Sequence, residues 1–76
     1  MTPTITPGPY RHMRTRRYGI THVGSLIHEC TSYRTACRYA IRSLIVDARY
    51  GWGRSYGILG WSGDDWRHVA TVRRDA

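Results

Sequence analysis

The sequence predicts a small α+β fold: a two-layer sandwich with one amphipathic helix on a mainly antiparallel sheet of three to four strands. Three observations carry this. One is a run with helical apolar spacing between a cap and a glycine. Another is a hairpin pattern at the C-terminal end. The third is length, since 76 residues suffice for one small domain. The element order is β-α-β-β, with room for an extra N-terminal strand. One helix covering one face of a small sheet is the natural two-layer solution.

The elements follow in chain order. "MTPTITPGPY" holds three prolines and a glycine in ten residues. Proline fixes φ and removes a ladder donor, so residues 1–10 are expected to be a flexible leader and residues 11–76 the domain. "RHMRTRRY" packs Arg11, Arg14, Arg16 and Arg17 into a basic arm with little apolar content to hold it down. "YGITHVGSLIHEC", residues 18–30, is rich in β-branched residues. Tyr18, Ile20 and Leu26 share one parity while Val23 and Ile27 share the other, which a single strand with a bulge near Gly24-Ser25 reconciles.

The helix is the strongest element. Thr31 or Ser32 serves as N-cap. Tyr33, Ala36, Cys37, Ala40, Ile41, Leu44 and Ala48 then recur at i, i+3 and i+4. Gly51 supplies the left-handed stop. Ala36, Ala40 and Ser43 make a small-residue flank that lets the helix sit close on a sheet. Residues 54–74 read as a hairpin turning at "SGDD", with Gly63 free to take a positive φ. Pairing across that turn sets Trp61 opposite Trp66, Leu59 opposite His68 and Gly57 opposite Ala70. Alternation then assigns Leu59, Trp61, Trp66, Ala70 and Val72 to the core. Arg54, Tyr56, Ile58, Arg67, Val69, Thr71 and Arg73 are left outward.

Net charge is +7, and all twelve basic side chains are arginine. Lys, Asn and Phe, whose codons are AT-rich, are all absent, which points to a GC-rich genome and fits a phage or mobile-element product. No run of about 18 apolar residues exists to span a membrane. The N-terminus has no apolar signal region, and two cysteines make no disulfide framework, so a cytoplasmic setting is expected, in a bacterial or phage-infected cell.

The arginines carry the functional expectation. On a helical wheel Arg34, Arg38, Arg49 and Arg42 fall within roughly an 80° arc bordering the apolar face, with Ile45 inside it. No acid shares the arc. A merely solvated face usually mixes signs; here like charges repel by about a few tenths of a kcal/mol per pair. Guanidinium forks spaced by about 6 Å per four-residue step suit phosphates. The plain alternative is an exposed helix face from a genome that favours Arg. The arm at 11–17 favours the phosphate reading, since basic arms track a duplex.

A second surface is the outward hairpin face, where Arg54, Arg67 and Arg73 lie beside Tyr56. Arginines beside an exposed ring resemble the platforms that hold single strands; the plain reading is an ordinary wet sheet face. Trp52 lies between two glycines, placed to stack on a base, to anchor a partner or to fold back over its own core. Tyr39 is the other candidate anchor.

Catalysis and metal binding find little support. His28, Cys30 and Cys37 are close in sequence, but their spacing fits no zinc site and Cys37 lies on the apolar helix face. Cys30, just ahead of a helix N-terminus, is placed where a thiolate is favoured, yet no oxyanion hole accompanies it. Asp47 opposes the helix dipole, so a salt bridge to Arg49 or Arg54 is its expected reason. No acid pair reads as general acid and base, and no phosphate-binding glycine loop is present. The expected protein is non-enzymatic, without cofactor or metal, and binds nucleic-acid backbone with little sequence preference. The rival is a phage-type modulator of a host nucleoprotein complex, akin to an anti-CRISPR inhibitor, docking on an acidic protein surface. A purely structural role ranks third. Self-association through an exposed strand edge is compatible with so small a sheet.

Overall fold

The computed structural model describes residues 3–50 and 55–74. Five strands and one helix follow in the order β1 (Pro3–Pro7), β2 (Tyr18–His22), β3 (Ser25–Cys30), α1 (Tyr33–Tyr50), β4 (Ser55–Trp61) and β5 (Trp66–Arg74). The strands form one sheet in the order β1-β5-β4-β2-β3, every neighbouring pair antiparallel. Since β3 and β4 both run against β2, they run parallel to each other. A parallel connection needs a crossover, and α1 is that crossover. The result is the small α+β fold, with one strand beyond the expected three to four.

The helix starts where Ser32 Oγ accepts the Thr35 amide at 3.2 Å, so Ser32 rather than Thr31 is the N-cap. Ala36, Cys37, Ala40 and Leu44 are buried against the sheet, and Ile41 packs at the margin. The two alanines give the close approach their size predicts. Ala48 is exposed instead, because the helix has by then run past the buried stripe. Gly51 lies outside the described residues. Below the helix lie Tyr18, Ile20, Cys30, Tyr56, Ile58, Val69, Ala70 and Val72. Burying each of the larger aliphatic side chains contributes about 1.5–3 kcal/mol.

The core face of the hairpin differs from the expected one, and a single residue explains why. Trp61 pairs with Trp66 and Leu59 with His68, but Ile58 pairs with Ala70 and Gly57 with Thr71. Val69 is therefore an extra residue, a bulge, and strand parity reverses across it. Ala70 and Val72 thus join Tyr56 and Ile58 beneath the helix. Leu59, Trp61 and Trp66 lie on the opposite face and are only half-buried.

Two further expectations are corrected. Residues 18–30 are a hairpin rather than one bulged strand. Val23 and Gly24 have φ of 53° and 78°, the signature of a two-residue type I′ turn. The parity change comes from Ile27, an extra residue between the Ile20–His28 and Thr21–Leu26 pairs. The expected leader is not separate from the sheet either. Pro3–Pro7 pair with β5 from Arg74 to Ala70, supplying the extra N-terminal strand. Proline is tolerated there because β1 is an edge.

Candidate nucleic-acid interface

The helix presents its outer side to solvent, and the predicted stripe is on it. Arg34, Arg38, Arg42 and Arg49 are all exposed. Arg38, Arg42 and Arg49 surround a shallow open groove of about 530 Å³ whose other walls are Ile41, Ile45 and Val46. Arg34 continues the row toward the helix N-terminus without lining the groove. The ion pairs among the described residues are Arg17–Glu29 and Arg67–Asp65, so none of the four ridge guanidiniums is neutralised by a described carboxylate. Ile45 and Val46 are each 45% exposed, which makes the ridge amphipathic rather than purely cationic.

The basic arm is held down more firmly than its composition implies. The Gly8 amide donates to the Val69 carbonyl at 2.8 Å and the Tyr10 amide to the His68 carbonyl at 3.1 Å, extending the β1–β5 pairing. Met13 packs against the core, and its carbonyl accepts from the Tyr18 hydroxyl. The arm is thus a strapped loop that leaves Arg11, Arg14 and Arg16 exposed. Arg67 does not face outward from the hairpin as expected. It lies 5.3 Å from the Tyr10 ring centre and pairs with Asp65 at 2.8 Å.

Arg17 ends the arm on the open face of the sheet. Its Nε is 2.7 Å from Glu29 Oε1, and its guanidinium carbon lies 4.9 Å from the Trp61 ring and 5.2 Å from the Trp66 ring. The two indoles meet edge to face at 5.2 Å. Trp66 has room because residue 19 is glycine. A Cβ there would sit 2.5 Å from Leu26 Cδ1 and 3.2 Å from the Trp66 ring. The pairing of Thr21 with Gly57 and the alternation around buried Val72 put Thr21, Gly57, Thr71 and Arg73 on the same face. The sequence offered one clue to this cluster, glycines at 19 and 57 inside strands; the bulge that moves both tryptophans here has no comparable signature.

Other expected residues have different roles. Tyr56 is 5% exposed and cannot offer a ring face to a ligand. Its hydroxyl donates to Asp47 Oδ2, which gives Asp47 a partner other than the expected Arg49; Arg54, the other expected partner, lies outside the described residues. Burial, and next the neighbouring carboxylate, push the Tyr56 hydroxyl up to about 12. Tyr39 stacks flat on His28 at 4.2 Å, and His22 on Tyr56 at 4.8 Å. Trp52 and Arg54 lie outside the described residues. Cys30 is buried, and burial raises its thiol instead of favouring a thiolate. Cys37 is raised by burial too, partly countered by a hydrogen bond with Tyr33. Both are free thiols. Among the described residues no three His, Cys, Asp or Glu side chains converge on a metal position. No described helix is long and apolar enough to cross a membrane.

Comparison with protein-family models, with curated proteins and with solved structures finds no match for this chain.

Proposed function

We propose that the chain is a small non-enzymatic binding protein that holds the backbone of nucleic acid with little sequence preference. The observation that carries this reading is the uncompensated row Arg34, Arg38, Arg42 and Arg49 on the exposed side of α1. Self-repulsion along the row is relieved by an anion, and a phosphate chain offers several at fixed spacing. Guanidinium contacts to phosphate position a protein and read no bases, hence the weak preference. Arg11, Arg14 and Arg16 add a second cationic strip. A cytoplasmic setting, with reduced thiols at Cys30 and Cys37, belongs to the same proposal.

The test is double charge reversal, Arg38→Glu with Arg42→Glu, followed by binding to duplex and single-stranded oligonucleotides. Both side chains are exposed, so the fold is expected to survive. Loss of duplex binding of at least tenfold is the expected result. Binding equal to that of the unaltered protein would remove the reading.

One observation favours a second reading, a modulator that docks on a protein. Ile41, Ile45 and Val46 give the groove an aliphatic floor that phosphates do not use. An acidic helix or strand with apolar residues facing inward fits such a groove. Pull-down from nuclease-treated host lysate separates the two. A protein partner retained in high salt, and lost on Ile45→Glu, selects the second reading.

A further inference from the structure

We infer that the open face of the sheet, centred on Trp61, Trp66 and Arg17, is a stacking platform for single-stranded nucleic acid. This goes beyond backbone holding by the helix and rests on that reading only for the class of ligand.

Four features of this face support it. The single helix lies on the other side of the sheet, so no described element covers it. It nevertheless carries two large half-buried rings, and base stacking on such rings is tolerant of sequence because every base has a π-face. Arg17 is held between two rings and a carboxylate on an exposed surface. A guanidinium plane fixed in this way is itself a surface on which a base stacks. Beyond the rings the floor carries the half-buried pair Leu59 and His68 and then drops to glycine at 57 and threonine at 21 and 71. It ends at Arg73, about 20 Å from Trp66 at roughly 3.3 Å per step, the bulge at Val69 adding none, which leaves room for a few nucleotides.

Charge selects the occupant. Arg17 lies against the rings, Arg16 and Arg14 lead up to them along the chain, and Arg73 closes the far end of the face; of the acids nearby, Glu29 is engaged by Arg17 and Asp65 by Arg67, while Asp64 sits in the turn between the two tryptophans. A second copy of a chain carrying +7 meets repulsion here, whereas a phosphate chain meets attraction. A duplex hides its base faces and gains nothing from the rings.

The experiment uses the full chain carrying Trp52→Phe, so that fluorescence reports Trp61 and Trp66 alone. It is titrated with oligothymidylate, with oligouridylate and with a blunt duplex of equal length. The expected result is quenching by the single strands and none by the duplex. Whichever single strand binds more tightly names the natural source as DNA or RNA. Arg17→Ala and Trp66→Leu are expected to weaken single-strand binding roughly tenfold each and to leave duplex binding unchanged. Arg17→Ala alters only an exposed side chain, so it decides the matter if Trp66→Leu fails to fold. Duplex binding with no quenching by either single strand overturns the platform and leaves the helix reading standing. Single-strand quenching that persists in the Arg38→Glu, Arg42→Glu protein supports the platform; duplex binding that also persists there removes the helix reading. No binding to any oligonucleotide overturns both.

Discussion

The two faces of one sheet use the same residue types to opposite ends. Beneath α1, aromatic rings are sealed in and their polar tips are satisfied inside the protein: Tyr56 on Asp47, Tyr18 on the Met13 carbonyl. On the open face the rings remain half-buried and their polar companion is a cation, Arg17, in contact with water. Arginine shows a parallel contrast. Arg17 and Arg67 are pinned between a ring and a carboxylate, whereas none of the helix-row arginines makes an ion pair with a described carboxylate. A pinned guanidinium is an ordered surface; an unpinned row is a reservoir of charge. Which of the two an arginine becomes depends on whether the chain supplies it with an acid, and the helix's own acid, Asp47, is taken by Tyr56.

Truncating the two faces separates them most sharply. Leu44→Ala removes a fully buried side chain under the helix and is expected to cost about 2–5 kcal/mol in chemical denaturation. Leu26→Ala on the open face, where the side chain is 44% exposed, is expected to cost under about 1 kcal/mol. Equal losses would mean that the open face is a second core. Between these lies Gly19→Ala, whose new methyl meets Leu26 and Trp66. Overpacking of that kind costs about 1–3 kcal/mol, and the tryptophan emission should shift as Trp66 is displaced.

A pH scan sharpens the covered side. The folded Tyr56 hydroxyl titrates above its ordinary value near 10, at about 12. The contribution of its protonated form is therefore complete below pH 10 and is lost as pH rises from about 10 towards 12. Tyr33, pushed up to about 12 chiefly by burial, contributes in the same range, so Tyr56→Phe should reduce the alkaline loss in part, read by circular dichroism against pH. A gain rather than a loss is expected at the hairpin tip. Val23, 89% exposed, holds a positive φ that a β-branched residue resists, so Val23→Asn should stabilise by about 1 kcal/mol and raise Tm.

What was legible in the sequence was whatever local chemistry decides. The cap at Ser32, the 3.6-residue stripe from Ala36 to Leu44 and the turn at Ser62–Asp65 are each set by neighbours within a few positions. The helix row was legible for the same reason, since its geometry is that of one element. The faces of the sheet were not. Ala70 and Val72 are in the core as expected, but one extra residue at Val69 sets Tyr56 and Ile58 beside them and sends Leu59, Trp61 and Trp66 to the other face, and nothing in "WRHVATVRR" marks valine 69 over valine 72 as the bulge. The strand at Pro3–Pro7 was hidden because three prolines describe an edge strand and a free leader equally well; only β5, far along the chain, distinguishes them. The Arg17 cluster joins β2, β3, β4 and β5, and no short stretch contains it.

The central claim, that the helix row is a phosphate-binding charge, is tested most directly by the salt dependence of duplex binding. Each phosphate contacted contributes a slope of about −0.9 in log affinity against log salt concentration. The account predicts a steep linear fall for the unaltered protein and a slope shallower by about 2 for the Arg38→Ala, Arg42→Ala protein. A slope that is flat, or that the two substitutions leave unchanged, would contradict it.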